Sequence, residues 1–412
     1  MRGGPVRKNA VGRWWFAAPV AVALVASGCT TDNDGGEQPP PTTSATSATP
    51  ALPVEPRTPE PGPLPAIPAA FASAAVYPAG DAAADILAAD LNNDGHLDLA
   101  TPNYNSNDVA VLMADGTGGF LPPVALAAGR TPNGLVAGDF NGDNWLDLVA
   151  ANLGSDEISV YLNDGQGRFG EPVFTPAGDG AARIVARDLN GDGNLDLATP
   201  NLNGDDVTVL LGDGQGGFGE ASHFAAGDGA LRLSIADITR DDKLDLIVSN
   251  YNAGSISVLE GDGRGRFGPP SDYPAGDTAS GAALADFNGD GALDVASALY
   301  EVDQVAVLLG DGQGGFGAPT ILTSGVHPGD LATGDFNGDG YQDIVAPNFD
   351  SDDVTLFHGD GRGGFAVPEN IAVGAGAPAI VVTDFNGDGK SDFATANSLD
   401  DNVSVLLNTT GG

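Results

Sequence analysis

From residue 71 onward, short apolar segments alternate with Gly- and Asp-rich turns, and the whole pattern returns every 49 residues. In one repeat, apolar residues 135–137 lead into an Asp-rich loop and residues 148–150 lead out of it. Residues 157–162 then alternate between apolar and polar, which is the period of a half-buried strand. A Gly-rich stretch at residues 164–169 is typical of a hairpin turn, and a fourth segment follows near residues 172–176. Four short strands in each repeat predict one antiparallel blade.

The clearest marker of the repeat is the nine-residue pattern D-x-N-x-D-G-x-x-D. It begins at Asp90, Asp139, Asp188, Asp237, Asp286, Asp335 and Asp384, each 49 residues after the last. A period of this length indicates a solenoid or a propeller. No part of the repeat has the helical spacing that a leucine-rich or helical solenoid needs. We therefore predict an all-β fold, a seven-bladed β-propeller with four antiparallel strands in each blade.

The two ends of the repeat region predict how the ring closes. The outer-strand segment of each repeat begins with Phe, at positions 71, 120, 169, 218, 267, 316 and 365. The first of these precedes the first Asp loop, whereas the last repeat stops after residues 403–407, at its third strand. The N-terminal strand near residues 71–77 should therefore complete the seventh blade, which closes the ring and leaves no propagating edge.

The nine-residue pattern also supplies oxygen atoms from one tight loop. Calcium takes about six to eight oxygen ligands in proteins. Side chains at positions 1, 3, 5 and 9 and the backbone carbonyl at position 7 offer such oxygens, and Gly at position 6 permits the sharp turn. We predict up to seven Ca²⁺ sites. The side-chain ligands are Asp90, Asn92, Asp94, Asp98, Asp139, Asn141, Asp143, Asp147, Asp188, Asn190, Asp192, Asp196, Asp237, Thr239, Asp241, Asp245, Asp286, Asn288, Asp290, Asp294, Asp335, Asn337, Asp339, Asp343, Asp384, Asn386, Asp388 and Asp392.

Two observations qualify the calcium prediction. The pattern is not an EF-hand, because position 12, where that motif needs Glu, is Thr101 in the first copy and Ala150 in the second. The copy beginning at Asp237 has Thr239 at position 3 and Asp242 at position 6, so it is predicted to be the weakest site or empty. The alternative for the whole set is a series of Asx turns without metal.

These motifs carry a family resemblance. The segment Asp286–Asp294 followed by residues 310–319, with Phe316-Gly317 and Gly317-Ala318-Pro319 in sequence, resembles the FG-GAP/VCBS repeats that also build the propeller of integrin α-subunits. The resemblance covers residues 71–412. It implies a calcium-binding propeller, and it is compatible with adhesion and recognition as well as with lectins and lyases.

Composition limits the partners. The chain has 56 acidic and 16 basic residues and a formal charge of −40, which repels nucleic acid and anionic membrane surfaces. No nucleic acid partner is therefore expected, and the protein is expected to be a monomer.

The N-terminus has the features of an export signal. Four basic residues, Arg2, Arg7, Lys8 and Arg13, precede an apolar stretch at residues 14–26, which is too short to span a membrane. The sequence Ala26-Ser27-Gly28-Cys29 resembles the cleavage box of bacterial lipoproteins, which implies that Cys29 carries the lipid. An ordinary cleaved signal with an incidental cysteine is the alternative.

These features predict three segments and a location. Residues 1–28 form the signal peptide, residues 29–70 a disordered linker rich in Pro, Thr and Ser, and residues 71–412 the propeller. The protein is expected to cross the membrane and to stay anchored by its lipid at the cell surface or outer membrane, or else to be fully secreted.

Comparison of the seven copies indicates where a ligand binds. The position that leads into the innermost strand holds Asp85, Gly134, Arg183, Arg232, Gly281, Asp330 and Ala379. The turn between the second and third strands holds Tyr104, Leu153, Leu202, Tyr251, Tyr300, Phe349 and Ser398. Aromatic side chains on an exposed turn stack on sugars or anchor proteins. We predict that Arg183, Arg232, Tyr251 and Tyr300 bind the ligand, the alternative being that they pack within their own turns.

The functional prediction is a calcium-stabilised recognition or adhesion module for an extracellular protein or glycan. No catalytic residues are predicted, because the four histidines are scattered and no serine lies in a G-x-S-x-G turn. The alternatives are a carbohydrate-active enzyme resembling a polysaccharide lyase, and a structural scaffold of an envelope complex.

Overall fold

The alternating segments form strands throughout the part of the chain that the computed structural model describes, residues 68–411. There, 28 strands build seven four-stranded antiparallel sheets. Each sheet is one blade, and the blades are numbered here by the order of their Asp loops. The all-β, seven-bladed propeller predicted from the repeat is confirmed. The predicted signal peptide, linker and Cys29 lie outside the described residues.

The innermost strands line the centre of the ring, and most of them contact the innermost strand of the next blade. Their bounds are β2 (Leu87–Ala89), β6 (Pro132–Gly138), β10 (Val185–Arg187), β14 (Ala230–Ala236), β18 (Ala283–Ala285), β22 (Ala332–Gly334) and β26 (Ala379–Thr383). In blades 2 and 4 this strand is longer and carries a register shift near its start. That irregularity shapes the backbone where the chain enters the centre of the ring.

The second and third strands form the interior of each blade. The second strands are β3 (Asp98–Asn103), β7 (Asp147–Asn152), β11 (Asp196–Asn201), β15 (Asp245–Asn250), β19 (Asp294–Leu299), β23 (Asp343–Asn348) and β27 (Asp392–Asn397), and all their residues are buried. The third strands are β4 (Asp108–Leu112), β8 (Glu157–Tyr161), β12 (Asp206–Leu210), β16 (Ser255–Leu259), β20 (Gln304–Leu308), β24 (Asp353–Phe357) and β28 (Asn402–Leu406).

The hydrophobic core lies in the seams between neighbouring blades. In one seam, Leu99 and Leu112 of blade 1 pack with Ala394 and Val403 of blade 7. Both faces of a central strand meet neighbouring blades in this arrangement, which explains why the second strands are buried along their whole length. The seams hold adjacent blades together by burial of apolar surface.

The outer strands are mostly exposed, and the N-terminal one closes the ring. They are β1 (Ala75–Pro78), β5 (Val124–Ala127), β9 (Val173–Pro176), β13 (Ser222–Ala225), β17 (Ser271–Pro274), β21 (Thr320–Thr323) and β25 (Glu369–Ala372). Strand β1 pairs antiparallel with β28, with Ala75 opposite Val405, and Phe71 forms a further bridge to Asn408. The predicted completion of the last blade by the N-terminal strand is confirmed.

The antiparallel order gives the propeller two different faces. The loop face carries the Asp loops and the hairpins between third and fourth strands. The turn face carries the turns between second and third strands and the connections into the next innermost strand. A short 3-10 helix at Tyr300–Val302 forms the blade 5 turn on this face. Between residues 68 and 411, no helix is long and apolar enough to cross a membrane.

Candidate functional site

The first, third and fifth side chains of an Asp loop fold back onto the loop itself. In blade 1, Asp90 accepts hydrogen bonds from the backbone N–H groups of Asp94 at 3.0 Å and Gly95 at 2.9 Å. Asn92 accepts a second bond from Asp94, and the Asp94 carboxylate accepts one from His96. These are Asx-type turns, and they hold the loop oxygens close together at an exposed surface.

The ninth aspartate has a different position, because it is buried at the start of the second strand. In blade 1, Asp98 accepts the N–H of Leu91 at 2.9 Å and the N–H of Ala114 at 2.7 Å. The same two bonds recur in every blade, at Asp147, Asp196, Asp245, Asp294, Asp343 and Asp392. This side chain therefore ties the Asp loop to the hairpin, a structural role that the motif alone did not reveal.

Burial makes the ninth carboxylates less acidic. Desolvation raises the pKa of Asp147 to about 6, against the lowering effect of its two backbone hydrogen bonds, and the charges of Asp143 and Asp139 raise it further. The pKa values of Asp98 and Asp294 are raised for the same reasons. Three carboxylates in each of these loops are thus near enough to repel one another, as a cation site requires.

The loops carry the donor chemistry of a hard-cation site, although their side chains are not assembled into one. Carboxylate and amide oxygens are the ligands that calcium prefers. In the described part of the chain, however, no three acidic, histidine or cysteine side chains converge into a metal-holding group. Calcium binding at the predicted residues stays a prediction.

The blade 4 loop contains its own cation. The ammonium of Lys243 lies 2.6 Å from a carboxylate oxygen of Asp241, and this hydrogen bond lowers the Asp241 pKa. The neighbouring Arg240 lies close to Gly312 in the hairpin of blade 5. Two basic side chains thus occupy the surroundings of the loop that the sequence predicts to be weakest for calcium.

The two arginines of the predicted ligand face are buried in ion pairs across the ring. Arg183 of blade 3 lies 2.8 Å from Asp85 of blade 1, and Arg232 of blade 4 lies 2.8 Å from Asp330 of blade 6. Arg183 also donates to the carbonyl of Asn133 at 2.6 Å.

Burial changes the acidity of the second pair. Burial, followed by the charge of Arg183, lowers the Arg232 pKa to about 10, whereas burial raises the Asp330 pKa. These arginines are satisfied by the protein and do not offer free positive charge to a ligand.

The expectation of exposed aromatic side chains on the turn face is wrong. Tyr251 and Tyr300 are only 6% and 5% exposed. Tyr251 donates a hydrogen bond to Glu301 at 3.2 Å, and the Tyr300 ring stacks on His327 with centroids 4.6 Å apart and planes 10° apart. Burial raises the pKa of both phenols. The two tyrosine rings fill the space between neighbouring turns, where burying them is more favourable than leaving them exposed to water.

The polar residues next to the two tyrosines do reach the surface. His327 Nδ1 lies 2.8 Å from Asp350 Oδ2, and both side chains are partly exposed. Together with the two tyrosines, residues Glu301, His327 and Asp350 form a continuous group in blades 4 to 6, called here the turn-face cluster.

Other blades close the same turn differently. In blades 1, 3 and 4 an Asp accepts a hydrogen bond from an Asn, the pairs being Asp81–Asn105, Asp179–Asn203 and Asp228–Asn252. In blade 5 the Asn position is Glu301, and in blade 6 it is Asp350. Comparing that one position among the repeats would have found both residues, which the sequence analysis missed.

Comparison with known proteins gives a family and a set of folds. The family model described as FG-GAP-like repeat matches residues 90–150, 139–199, 237–297, 286–346 and 335–395. A comparison with curated protein sequences found no significant match.

Several solved structures share the fold at low sequence identity. A lectin from Agrocybe aegerita, described as recognising non-reducing terminal N-acetylglucosamine, is 21% identical, with a TM-score of 0.50 over 70% of this chain and 79% of the lectin. Streptogramin B lyase is 12% identical, with a TM-score of 0.58 over 82% and 98% of the two chains. A putative 6-phosphogluconolactonase from Bacteroides fragilis is 17% identical, with a TM-score of 0.54 over 72% and 85%. At these identities the likeness establishes the fold alone.

Proposed function

Because the chain belongs to the FG-GAP-like repeat family, we propose that its propeller is an extracellular recognition module that binds a protein or glycan through the turn-face cluster. The observation that carries this proposal is the carboxylate that replaces the turn asparagine in blades 5 and 6, Glu301 and Asp350, whereas blades 2 and 7 have the uncharged Gly154 and Leu399 there.

The chemistry of the cluster suits hydroxyl or cationic groups. In blades 1, 3 and 4, the Asp and Asn side chains satisfy each other. In blades 5 and 6, the carboxylates of Glu301 and Asp350 and the imidazole of His327 lie together on a base of buried tyrosines. Carboxylates accept hydrogen bonds from sugar hydroxyls or from Lys and Arg of a protein, while the charge of −40 disfavours anions.

The buried tyrosines give the cluster rigidity. Tyr251 holds Glu301 by a hydrogen bond, and Tyr300 holds His327 by stacking. Polar groups that are already fixed lose little conformational entropy when a ligand binds. Rigid support of this kind is expected beneath a binding surface rather than beneath a solvated turn.

Calcium and a lipid anchor belong to the same proposal. The donor set of the Asp loops and the mutual repulsion of their carboxylates support calcium at the loop face, where the ion would supply positive charge. The sequence around Cys29 supports attachment to the cell surface. In this proposal calcium stabilises the loops, and the ligand binds on the opposite face.

An enzyme is the second candidate, and the His327–Asp350 pair favours it. A carboxylate on Nδ1 orients an imidazole so that Nε2 serves as a general base or acid. The same fold is used by a lyase and by a putative lactonase. Release of products from polysaccharides by the full-length chain, lost on His327→Gln, would support a lyase and would replace the recognition proposal.

The test is a binding screen of the full-length protein against glycans and extracellular proteins in millimolar calcium. The ligand found there is titrated against the variant Glu301→Gln/Asp350→Asn. We expect its affinity to fall at least about tenfold, since such a loss corresponds to one or two hydrogen bonds. The matched control is Asp179→Asn in blade 3, which alters the same turn in an ordinary blade and should leave affinity within about twofold. Unchanged affinity in the double variant would overturn the assignment to the turn-face cluster.

A further inference from the structure

A second concave surface lies on the loop face, between blades 5 and 6. It is an open depression of about 520 Å³, lined on one side by Leu284, Ala285 and Asp286 and on the other by Tyr341 and Gln342, with three glycines at its rim. This surface is called the loop-face cleft. It lies on the opposite side of the propeller from the turn-face cluster and goes beyond the function proposed above.

The cleft forms where the repeat changes from an apolar to a polar residue. Five blades have leucine at the position of Gln342, namely Leu97, Leu146, Leu195, Leu244 and Leu293. In blade 3, Leu195 fills the corresponding gap and contacts the Gly138 position of blade 2, where an added methyl group would collide with it. Gln342 occupies this seam in blade 6, and its amide makes no hydrogen bond to the residues that the structure describes. A half-buried amide facing a cleft is available to a ligand.

Tyr341 supplies an aromatic surface beside that amide. Its ring lies on Gly361 of the blade 6 hairpin, where any β-carbon would collide with it, and the side chain is still 47% exposed. Support by the hairpin holds the ring in place and leaves it open toward the cleft. The other blades have His96, Trp145, Asn194, Lys243, Ala292 and Lys390 at this position. Only blade 6 therefore combines an exposed tyrosine with a polar residue in the seam.

We propose that the loop-face cleft binds the pyranose ring of a neutral saccharide. The C–H face of a pyranose is apolar and packs on an aromatic ring, while its hydroxyls need both donors and acceptors. The Gln342 amide offers both. Uronic acids and other anionic sugars are disfavoured by the net charge of −40. The cleft has the size and the mixed lining of a small-ligand site.

The test measures binding of a panel of neutral methyl pyranosides to the full-length protein by calorimetry and saturation-transfer NMR at fixed calcium. At least one pyranoside should bind in the millimolar range. Tyr341→Ala should weaken it at least about tenfold, since the stacking surface is removed. Gln342→Leu should also abolish binding, since it restores the residue of five other blades and fills the cleft; the same precedent indicates that this variant folds.

Matched controls separate binding from folding. Asn194→Ala removes the side chain at the same position in blade 3 and should leave pyranoside binding unchanged. Each variant is checked by its melting temperature, and Tyr341→Asn, which installs the blade 3 residue, replaces the alanine variant if that one does not fold. Absence of binding by every pyranoside, or binding that survives both Tyr341 and Gln342 substitutions, would overturn the proposal. If Asp350→Asn alone abolished binding, the sugar site would lie in the turn-face cluster, which would overturn the cleft and support the function proposed above.

Discussion

At the scale of single residues, the ninth aspartate of each loop is the side chain on which most local structure depends. It is buried, and it accepts backbone N–H groups from both the Asp loop and the hairpin, as Asp196 does from Leu189 at 2.9 Å and Gly212 at 2.8 Å. Removing a buried acceptor leaves its donors unsatisfied, which costs more than the bonds contribute when they are made. The exposed fifth aspartate has no comparable role in the absence of calcium.

The first prediction compares two aspartates of one loop. In excess chelator, Asp196→Ala should lower the free energy of unfolding by about 2–5 kcal/mol, because two buried N–H groups lose their acceptor. Asp192→Ala, at the exposed fifth position, should change it by less than about 1 kcal/mol. Urea denaturation of the full-length variants gives both values. Equal effects would contradict the structural role of the ninth position.

At the scale of elements, the centre of the ring is held by charges from blades that are not neighbours. Arg183 joins blade 3 to Asp85 of blade 1, and Arg232 joins blade 4 to Asp330 of blade 6. Buried ion pairs are not strongly stabilising in total, but loss of one partner leaves an uncompensated charge. The pairs therefore fix which side chains occupy the centre of the ring.

The second prediction is that Arg183 and Asp85 are energetically coupled, which a double-mutant cycle measures. Arg183→Met should destabilise the protein by about 3–5 kcal/mol, since Asp85 is left without its partner in a poorly solvated site. Asp85→Asn in the Arg183→Met background should recover part of that loss. The cycle is measured by thermal or chemical unfolding. Strictly additive effects of the two substitutions would show that the pair is not coupled.

The third prediction concerns calcium at the level of one loop. Chelation should lower the melting temperature, because ions that bind the folded state stabilise it by mass action. The blade 4 loop should bind no calcium and so contribute nothing to this stabilisation, since Lys243 already neutralises Asp241.

Stoichiometry tests the blade 4 loop directly. Titration calorimetry should give at most six ions for the natural chain, and Lys243→Gln should raise affinity at this loop rather than lower it. A natural chain that binds seven equivalent ions would contradict this prediction, and a melting temperature unchanged by chelator would contradict calcium binding altogether.

At the scale of the whole molecule, the ring is closed by pairing the two ends of the repeat region. Strand β1 supplies the outer strand of blade 7, and backbone bonds such as Ala72 N–H to the Leu407 carbonyl extend the contact. Closure of this kind covers the edge of β28 and leaves only the short strand β1 at the outer edge of blade 7.

Truncation is the fourth prediction. A chain that begins at residue 79 lacks β1 and should melt at a lower temperature and aggregate, because β28 becomes an exposed edge. A chain that begins at residue 68 keeps β1 and is the matched control. Calorimetry and light scattering compare the two. Equal melting temperatures would contradict closure by the N-terminal strand.

The fifth prediction tests the proposed anchor. Cys29→Ser should move the protein from the membrane fraction to the soluble fraction of cells that export it, because Cys29 is the only cysteine in the sequence and the proposed lipid is attached to it. Fractionation followed by immunodetection measures this. A soluble natural chain would favour the alternative of an ordinary cleaved signal.

The sequence by itself determined the number of blades, the four strands in each, the closing strand and the position of every Asp loop. These features depend on strand periodicity and turn chemistry, which are local and which seven copies repeat in register. The position of Asp98 and its equivalents was likewise visible in the motif, but their bonds to the hairpin were not. Local patterns carry no information about which distant backbone group a buried carboxylate will meet.

Only the tertiary structure decided how the variable residues meet. Arg183 and Asp85 stand two repeats apart, and their pairing depends on the diameter of the ring. Tyr251 and Tyr300 are buried because turns of neighbouring blades approach each other, which no single repeat reveals. Gln342 lines a cleft because it stands in a seam where five other blades have a leucine. In a repeat protein the fold follows from what the copies share, and the candidate sites follow from contacts between copies at the positions where they differ.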